Sequence, residues 1–340
     1  MIPTSLDWCQ QQDANDPLAA IKDRFDLPEG VIYMDGNSLG VLPKGVAERI
    51  NTVVEREWRT DLIKSWNTAD WINLPARVGA KIAPLVGAMA DEVVMADSTS
   101  INLFKVAAAA CRMNKGRSKI ISEPGNFPTD LYMLQGLSSF LGNDAQLQTV
   151  DRNKIIDAID DDTAVVVLTH VHYVTADMFD MEAITKAAHD KGALVVWDLS
   201  HSTGAVPVDL NGAGADFAIG CGYKYLNGGP GAPAFLFVAK RHHANAEQPL
   251  TGWFGHKRPF DFIDDYEPAP DIRRMLVGTT SVLAASALDS ALDAFKGVDM
   301  GLLRKKSQAM TDLFIALTRE KLMEYGVGLA TSETPAKRGS

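Results

Sequence analysis

Two charged residues that follow apolar segments are the strongest chemical signal in this sequence. Lys224 comes shortly after the apolar run 216–219, in the glycine-flanked stretch 220–229 that holds no other charge, and Asp198 directly follows a second apolar run, residues 193–197. A pyridoxal phosphate site needs an amine that holds the aldehyde as a Schiff base and a carboxylate that keeps the pyridinium nitrogen protonated. We therefore predict such a site around Lys224 and Asp198.

Other loops after apolar runs carry polar side chains suited to the same ligand. Residues 97–100 (Asp-Ser-Thr-Ser) precede an apolar helix, whose first free amides and hydroxyls are suited to a phosphate. Residues 127–130 (Phe-Pro-Thr-Asp) offer a ring that could stack on a flat cofactor. Taken singly, both segments are more typical of an ordinary helix start than of a ligand site. The structural alternative for Asp198 is a capping carboxylate with a surface histidine beside it. The structural alternative for Lys224 is a side chain that only extends outward from a strand end.

Strand and helix patterns alternate along the chain, which indicates an α/β fold. Apolar runs predict strands over residues 92–95, 119–122, 164–168, 193–197, 216–219 and 234–238. Helical spacing predicts helices over residues 43–58, 100–112, 128–140, 181–190, 283–295 and 300–325. Nearly continuous apolar strands indicate burial on both faces, as in a mostly parallel sheet covered by helices. Ligands of such a sheet bind at the carboxyl ends of its strands.

Composition and charge restrict the class of protein. A chain of 340 residues predicts one large domain with a smaller partner, and the net charge of −10 argues against a nucleic-acid surface. No apolar stretch reaches the roughly 18 residues of a membrane span. The three cysteines lack the spacing of a disulfide frame or zinc site, and no secretory signal begins the chain. We expect a cytoplasmic protein that binds neither membranes nor nucleic acid.

The histidines indicate no metal site. His242 and His243 follow a strand, but no third ligand lies at useful spacing, so we expect a solvated loop there. His170 and His172 bracket Val171 on an extended strand, and we expect them to line the ligand site.

Five segments together make the chain resemble the kynureninase family. This family belongs to the pyridoxal phosphate enzymes of fold type I, in the aminotransferase class V group. The segments are YMDGNSLG (33–40), FPTD (127–130), DLSH (198–201), GYKYLNGGPG (222–231) and GWFGH (252–256). The resemblance runs from about Val31 to the end of the chain and implies a mostly parallel central sheet flanked by helices, with a smaller α+β domain.

The resemblance implies hydrolysis of L-kynurenine to anthranilate and L-alanine in tryptophan catabolism, with 3-hydroxy-L-kynurenine as a related substrate. It makes Lys224 the residue that carries the cofactor, Asp198 the partner of the ring nitrogen and Tyr223 a proton donor or phosphate ligand. It implies a homodimer with shared active sites. The cofactor-binding residues that it implies are Thr99, Ser100, Phe127, Asp130, Thr169, Asp198, His201, Tyr223 and Lys224, together with Trp253 and Thr279 from the neighbouring subunit.

The same resemblance divides the chain into three parts. Residues 1–40 are expected at the active-site entrance, 41–280 form the large cofactor-binding domain, and 281–340 form connecting helices and the start of an incomplete small domain. In the family that small domain supplies an arginine for the substrate carboxylate. Neither Arg319 nor Arg338 occupies the matching motif.

Two other functions are compatible with parts of this pattern. A cysteine desulfurase or selenocysteine lyase of the same group needs a reactive cysteine on a mobile loop, whereas Cys111 and Cys221 lie in apolar segments. A non-catalytic fragment that only binds pyridoxal phosphate is the other alternative.

Overall fold

The computed structural model describes residues 2–142 and 144–340. Its helices are α1 (Leu6–Ala14), α2 (Val46–Thr52), α3 (Ser65–Thr68), α4 (Leu74–Ile82), α5 (Thr99–Met113), α6 (Pro128–Phe140), α7 (Ile155–Ala158), α8 (Met181–Asp190), α9 (Val282–Ala291) and α10 (Met300–Lys321). Its strands are β1 (Phe25–Asp26), β2 (Leu42–Pro43), β3 (Val93–Met95), β4 (Lys119–Ser122), β5 (Gln146–Thr149), β6 (Thr163–Thr169), β7 (Leu194–Asp198), β8 (Phe217–Gly220) and β9 (Phe235–Val238). None of the helices described is long and apolar enough to cross a membrane.

A seven-stranded sheet in the order β3-β9-β8-β7-β6-β4-β5 forms the centre of the protein. Strands β5, β4, β6, β7 and β8 pair in parallel, whereas β9 is antiparallel to both β8 and β3. The predicted mostly parallel sheet is therefore confirmed. Its parallel strands carry their carboxyl ends to one edge, where the predicted ligand residues follow them.

Both faces of the sheet are buried, which explains the continuous apolar strands. Along β6, Val166 and Leu168 pack into one hydrophobic cluster, while Val165 and Val167 pack into a second cluster on the opposite face. Helices α4, α8 and α9 contribute to the first cluster, and α5 and α6 to the second. This three-layer packing holds the strand ends, and so the loops after them, in fixed positions.

The first predicted helix is wrong in its bounds. Residues 43–58 were expected to form one helix with Pro43 in its first turn, but Pro43 pairs with Phe25 in a short strand. The helix α2 begins only at Val46, and its last turns widen into a π-helix over Val53–Asp61. Gly45 has φ of 88°, a left-handed conformation in which a side chain is strained, and this turn separates the strand from the helix.

A buried carboxylate ties together several elements at the amino ends of β7 and β8. Asp216 accepts hydrogen bonds from Val195 N and from Arg241 Nη2, at 2.9 and 2.7 Å. Its oxygens also lie 2.9 Å from His189 Nε2 and 2.8 Å from His242 Nε2. The expectation of a solvated loop around His242 is therefore wrong, because that imidazole is bound to Asp216.

We expect Asp216→Asn to lower the free energy of unfolding by about 3 kcal/mol at pH 7, since it removes one partner of a buried charged cluster. Burial alone would raise the pKa of Asp216, but the hydrogen bonds from His189 and His242 outweigh burial and hold this pKa well below its usual 3.8. A lowered folded-state pKa stabilises the protein above the unfolded pKa, and that contribution is lost as the pH falls.

Urea unfolding of the wild type and of Asp216→Asn at several pH values measures this loss of unfolding free energy. The difference in unfolding free energy between the wild type and Asp216→Asn should persist from pH 7 to about pH 5 and shrink only in more acidic solution. The control is Asp190→Asn on the same helix as His189, because the Asp190 pair with Lys186 is exposed. Equal stability of the two variants would contradict the assigned role of Asp216.

Candidate active site

Loops that follow β3, β4, β6, β7 and β8 line a cavity of about 350 Å³ at the carboxyl edge of the sheet. Nine of the eleven cofactor residues expected from the resemblance contribute to its wall. These residues are Thr99, Ser100, Phe127, Asp130, Thr169, Asp198, His201, Tyr223 and Lys224. The four loops that we predicted to serve one ligand therefore meet in one place.

Lys224 lies in this cavity beside a neutral histidine. Its side chain is buried, and Nζ lies 2.8 Å from His201 Nε2. Burial, with a smaller contribution from the charge of Lys224, lowers the pKa of His201 to about 4. At neutral pH the uncharged His201 ring therefore accepts a hydrogen bond from the Lys224 amino group. Among the residues that the structure describes, no carboxylate forms a salt bridge with this lysine.

Close backbone contacts fix the loop that carries Lys224. Gly40, the last residue of the segment 33–40, donates its N–H to Tyr223 O at 2.9 Å. A Cβ atom at Gly40 would lie 2.2 Å from Lys224 O, and one at Gly222 would lie 2.2 Å from Pro233 O. Only glycine permits these approaches, which explains the glycines in both segments.

Two buried carboxyl groups share the opposite part of the cavity. Asp198 ends β7 and accepts a hydrogen bond from Ser200 N at 2.7 Å, while Asp130 lies in the first turn of α6. Thr169 Oγ1, at the end of β6, lies 3.4 Å from Asp130 Oδ2. Burial, followed by the charge of Asp198 and a hydrogen bond with it, raises the pKa of Asp130 well above its usual range. Of the two carboxyl groups, Asp130 is therefore the one favoured to carry a proton.

The start of α5 forms a third part of the cavity wall. Ser98 caps this helix, and its hydroxyl accepts a hydrogen bond from Ile101 N at 3.4 Å. Thr99 and Ser100 follow in the first turn, where amide groups lack intrahelical partners. Free amides, hydroxyl groups and the positive end of the helix dipole are suited to a phosphate group.

Aromatic rings complete the wall. Lys224 Nζ lies 5.6 Å from the ring centroid of Phe127 and 5.8 Å from that of Tyr223. Tyr173, on the loop after β6, packs edge-on against Phe127 with their centroids 5.3 Å apart. Phe127 has an exposed fraction of 41 %, so its face is available to a flat ligand.

Pyridoxal phosphate fits this set of residues. The cavity contains one buried amine, a pair of buried carboxyl groups, an exposed aromatic face and a helix amino end with two hydroxyl groups. These are the groups that bind its aldehyde, ring nitrogen, ring face and phosphate.

Trp253 and Thr279 lie outside this cavity. Trp253 lines a separate cavity of about 410 Å³ with His256 and Phe262. Thr279 lines a smaller one of about 250 Å³, whose wall shares Asp97 with the cavity of Lys224. Within one chain the structure therefore does not bring these two predicted site residues to Lys224.

The sequence comparisons agree on one family. The family profile described as Aminotransferase class-V matches residues 33–330. The kynureninase of Deinococcus radiodurans is 54 % identical over 333 residues, which cover 96 % of this chain and 81 % of that protein. A kynureninase of Burkholderia mallei is 50 % identical over 96 % of this chain and 80 % of its own length. The chain belongs to the kynureninase family. Pyridoxal phosphate is accordingly its cofactor, and the prediction from Lys224 and Asp198 is confirmed on this point.

Solved structures show the fold that this kynureninase family member shares with other enzymes. The apo cysteine desulfurase of Thermococcus onnurineus NA1 superimposes with a TM-score of 0.77 at 23 % identity, over 94 % of this chain and 80 % of that chain. A lysine-to-alanine mutant of C-DES, with glycine covalently linked to its pyridoxal phosphate cofactor, gives a TM-score of 0.74 at 15 % identity, over 88 % of this chain and 80 % of its own. These low identities establish the fold alone.

The cysteines of this kynureninase family member do not favour a desulfurase. Burial raises the pKa of Cys111 to about 12, and it also raises the pKa of Cys221. Neither thiol is therefore present as the thiolate that attacks sulfur. The greater identity to kynureninases supports the same conclusion.

Sequence reasoning misplaced two histidines and missed two contributors, Tyr173 and Lys105. His170 is buried against Ser202, at 3.0 Å, and His172 lies 2.9 Å from Gly125 O, so the expectation that both line the site is wrong. Asp97 and Tyr173 line the cavity, and Lys105 binds Asp97 from behind. Asp97 belongs to the predicted phosphate segment 97–100, whereas the sequence analysis did not single out Tyr173 or Lys105.

Two arginines of the carboxyl-terminal region, Arg319 and Arg338, lie elsewhere. Arg319 pairs with Glu333, and the buried Arg338 binds Asp312. Neither lines the cavity of Lys224.

Proposed function

We propose that this protein hydrolyses L-kynurenine to anthranilate and L-alanine, with 3-hydroxy-L-kynurenine as a related substrate. The observation that carries the proposal is the buried Lys224 amine, which shares one cavity with the Asp198 carboxylate in a chain of the kynureninase family. When bound, pyridoxal phosphate supplies an electron-accepting ring for the bond changes at the substrate's α-carbon.

The charged side chains have separate tasks in this proposal. Asp198 would keep the ring nitrogen of the cofactor protonated, because the raised pKa of Asp130 makes Asp130 the group of the pair that is favoured to carry a proton. Lys224 would hold the cofactor covalently, and its free amine would be placed to take the proton from the α-carbon of the substrate. His201, within 2.8 Å of that amine and uncharged at neutral pH, orients it by a hydrogen bond.

Neutral groups position the ligand and supply a proton. Phe127 stacks on the cofactor ring, Thr99 and Ser100 hold its phosphate, and Thr169 supports Asp130. Burial raises the pKa of Tyr223, so this phenol keeps its proton at neutral pH and is suited to protonate the departing alanine fragment. Water adds to the γ-carbonyl, and the bond between Cβ and Cγ then breaks to give anthranilate and alanine.

We further propose a homodimer in which Trp253 and Thr279 contribute to the cofactor site of the neighbouring copy. Both residues lie outside the cavity of their own chain, as such a role requires. Exposed aromatic residues surround Trp253: Phe260 lies 5.9 Å away between ring centroids, and Phe262 has 78 % of its surface exposed. Large exposed apolar groups of this kind are typical of protein interfaces.

Light scattering of the purified protein tests the dimer. The expected mass is about twice the 36.8 kDa of one chain, because the aromatic surface should be covered by a second copy. A mass of one chain at micromolar concentrations would contradict the proposal.

The division of the chain into domains and its cellular compartment are also proposals. Residues 1–40 lie at the site entrance, consistent with the contact of Gly40 with Tyr223. Residues 41–280 form the cofactor domain, and 281–340 the connecting helices and the beginning of a small domain. The free thiols of Cys9, Cys111 and Cys221 favour the cytoplasm as the compartment.

Anthranilate fluorescence tests the function directly. Purified protein loaded with pyridoxal phosphate should release anthranilate and alanine in equal amounts from L-kynurenine. A protein that binds the cofactor but releases no anthranilate would refute the proposed reaction and leave a cofactor-binding protein. Formation of alanine and persulfide from cysteine would instead support a desulfurase.

A further inference from the structure

A fully buried lysine lies directly behind the first turn of α5. The side chain of Lys105 is 0 % exposed, and its Nζ donates to Asp97 Oδ2 at 2.6 Å and to Met275 O at 2.7 Å. Apart from Asn102, the other buried positions of this helix, such as Leu103 and Val106, are apolar. A lysine in this position costs free energy that an apolar residue would not, so its charge calls for an explanation.

The partner of this lysine lies at the edge of the cofactor cavity. Asp97 lines the cavity together with Thr99 and Ser100, and 31 % of its side chain is exposed. A carboxylate there would repel a phosphate group held by the same turn. The ammonium group of Lys105 neutralises this carboxylate from the buried side, where it does not occupy space in the cavity.

The same contact fixes an unusual turn of the backbone. Asp97 has φ of 41°, in the left-handed region that non-glycine residues rarely adopt. Its carbonyl accepts a hydrogen bond from Ala234 N at 2.9 Å, and Ser98 then begins the helix cap. The bond from Lys105 therefore holds the side chain of the residue at which the chain turns from β3 into the phosphate segment.

We propose that Lys105 is a positioning residue for the cofactor phosphate, which acts by neutralising Asp97 and fixing the turn before Ser98. The proposal rests on the proposed function in one respect, namely that the phosphate of pyridoxal phosphate occupies the start of α5. Lys105 touches neither the cofactor nor the substrate in this role.

The second contact of Lys105 extends its effect. Met275 ends a 3₁₀-helix four residues before Thr279, and Asp97 and Thr279 line the same cavity of about 250 Å³. One ammonium group therefore connects the phosphate segment to the base of the segment that carries Thr279. The Asp97 side and the Thr279 side of this cavity are therefore both connected to Lys105.

Equilibrium binding of two ligands to the apoprotein tests the proposal. One ligand is pyridoxal phosphate, and the other is pyridoxal, which is the same aldehyde without the phosphate. In Lys105→Met, the dissociation constant of pyridoxal phosphate should rise about tenfold or more, because an unpaired Asp97 charge then faces the phosphate. The dissociation constant of pyridoxal should change less than about twofold. The control Lys240→Met removes an exposed lysine paired with Asp91 and should change neither constant.

Substitution of Asp97 separates the effect of its unpaired charge from a general loss of structure in Lys105→Met. Asparagine tolerates the left-handed turn, so the double variant Lys105→Met with Asp97→Asn should recover most of the affinity for pyridoxal phosphate. Asp97→Asn alone should bind it at least as tightly as the wild type, and this variant keeps the proposal testable if Lys105→Met does not fold.

Four results would overturn the proposal: an unchanged affinity in Lys105→Met, an equal loss for pyridoxal and pyridoxal phosphate, no recovery in the double variant, or a tenfold loss in Asp97→Asn. All four leave binding by the wild type intact. A wild type that does not bind pyridoxal phosphate would instead refute the proposed function, and this inference with it.

Discussion

Replacement of Lys224 by alanine should abolish the reaction and the covalent attachment of the cofactor. The cavity wall contains one lysine among the residues described, so no second amine can take its place. General-base catalysis alone accounts for about 10²–10⁴-fold in rate, and Lys224→Ala also removes the covalent anchor. We expect kcat for kynurenine hydrolysis to fall by at least about 10⁴-fold.

Borohydride reduction followed by peptide mass spectrometry checks the attachment. In the wild type, the peptide that contains Lys224 should gain the mass of the reduced cofactor, whereas in Lys224→Ala no peptide should gain it. Lys224→Arg provides the matched control, because its guanidinium places a long cationic side chain next to His201 but stays protonated and does not act as a nucleophile. We expect the same loss of kcat in both variants. A modified peptide elsewhere, or activity in Lys224→Arg, would show that the assignment is wrong.

Burial on both faces of the sheet made the strands predictable. Residues 119–122 were predicted as a strand and form β4 with the same bounds, and its two central residues, Ile120 and Ile121, pack on opposite faces of the sheet. The helix over residues 128–140 was also predicted with its observed bounds, since Pro128 suits the first helical turn. The loops between these elements were predicted to meet, because parallel strands bring their carboxyl ends to one edge.

Elements that depend on distant contacts were not predictable in the same way. Strand β5, with the sequence Gln-Leu-Gln-Thr, lies at the sheet edge, and three of its four residues are exposed, so it lacks an apolar pattern. The π-helix over Val53–Asp61 has the same local sequence preferences as an α-helix. The contacts of Lys105 with Met275 and of His242 with Asp216 join residues far apart in sequence. No local pattern indicates such pairs.

The two carboxyl groups of the site should respond differently to the same substitution. Asp130→Asn replaces a protonated acid by a neutral amide that can still donate a hydrogen bond to Asp198. Asp198→Asn instead removes the negative charge that keeps the ring nitrogen of the cofactor protonated. We expect kcat to fall about 10²–10³-fold in Asp198→Asn, a loss typical of removing one preorganised electrostatic partner. In Asp130→Asn it should fall by less than about tenfold.

Steady-state kinetics with kynurenine and the absorbance spectrum of the bound cofactor test this contrast. Both variants should retain the covalent link to Lys224, so a change in cofactor content cannot account for the difference in kcat. Asp198 and Asp130 are buried, with 3 % and 2 % of their surfaces exposed. Because water cannot substitute for either carboxyl group, we expect each substitution to show its own effect on kcat. Equal losses in the two variants, or a larger loss in Asp130→Asn, would place the negative charge on Asp130 and reverse the assignment.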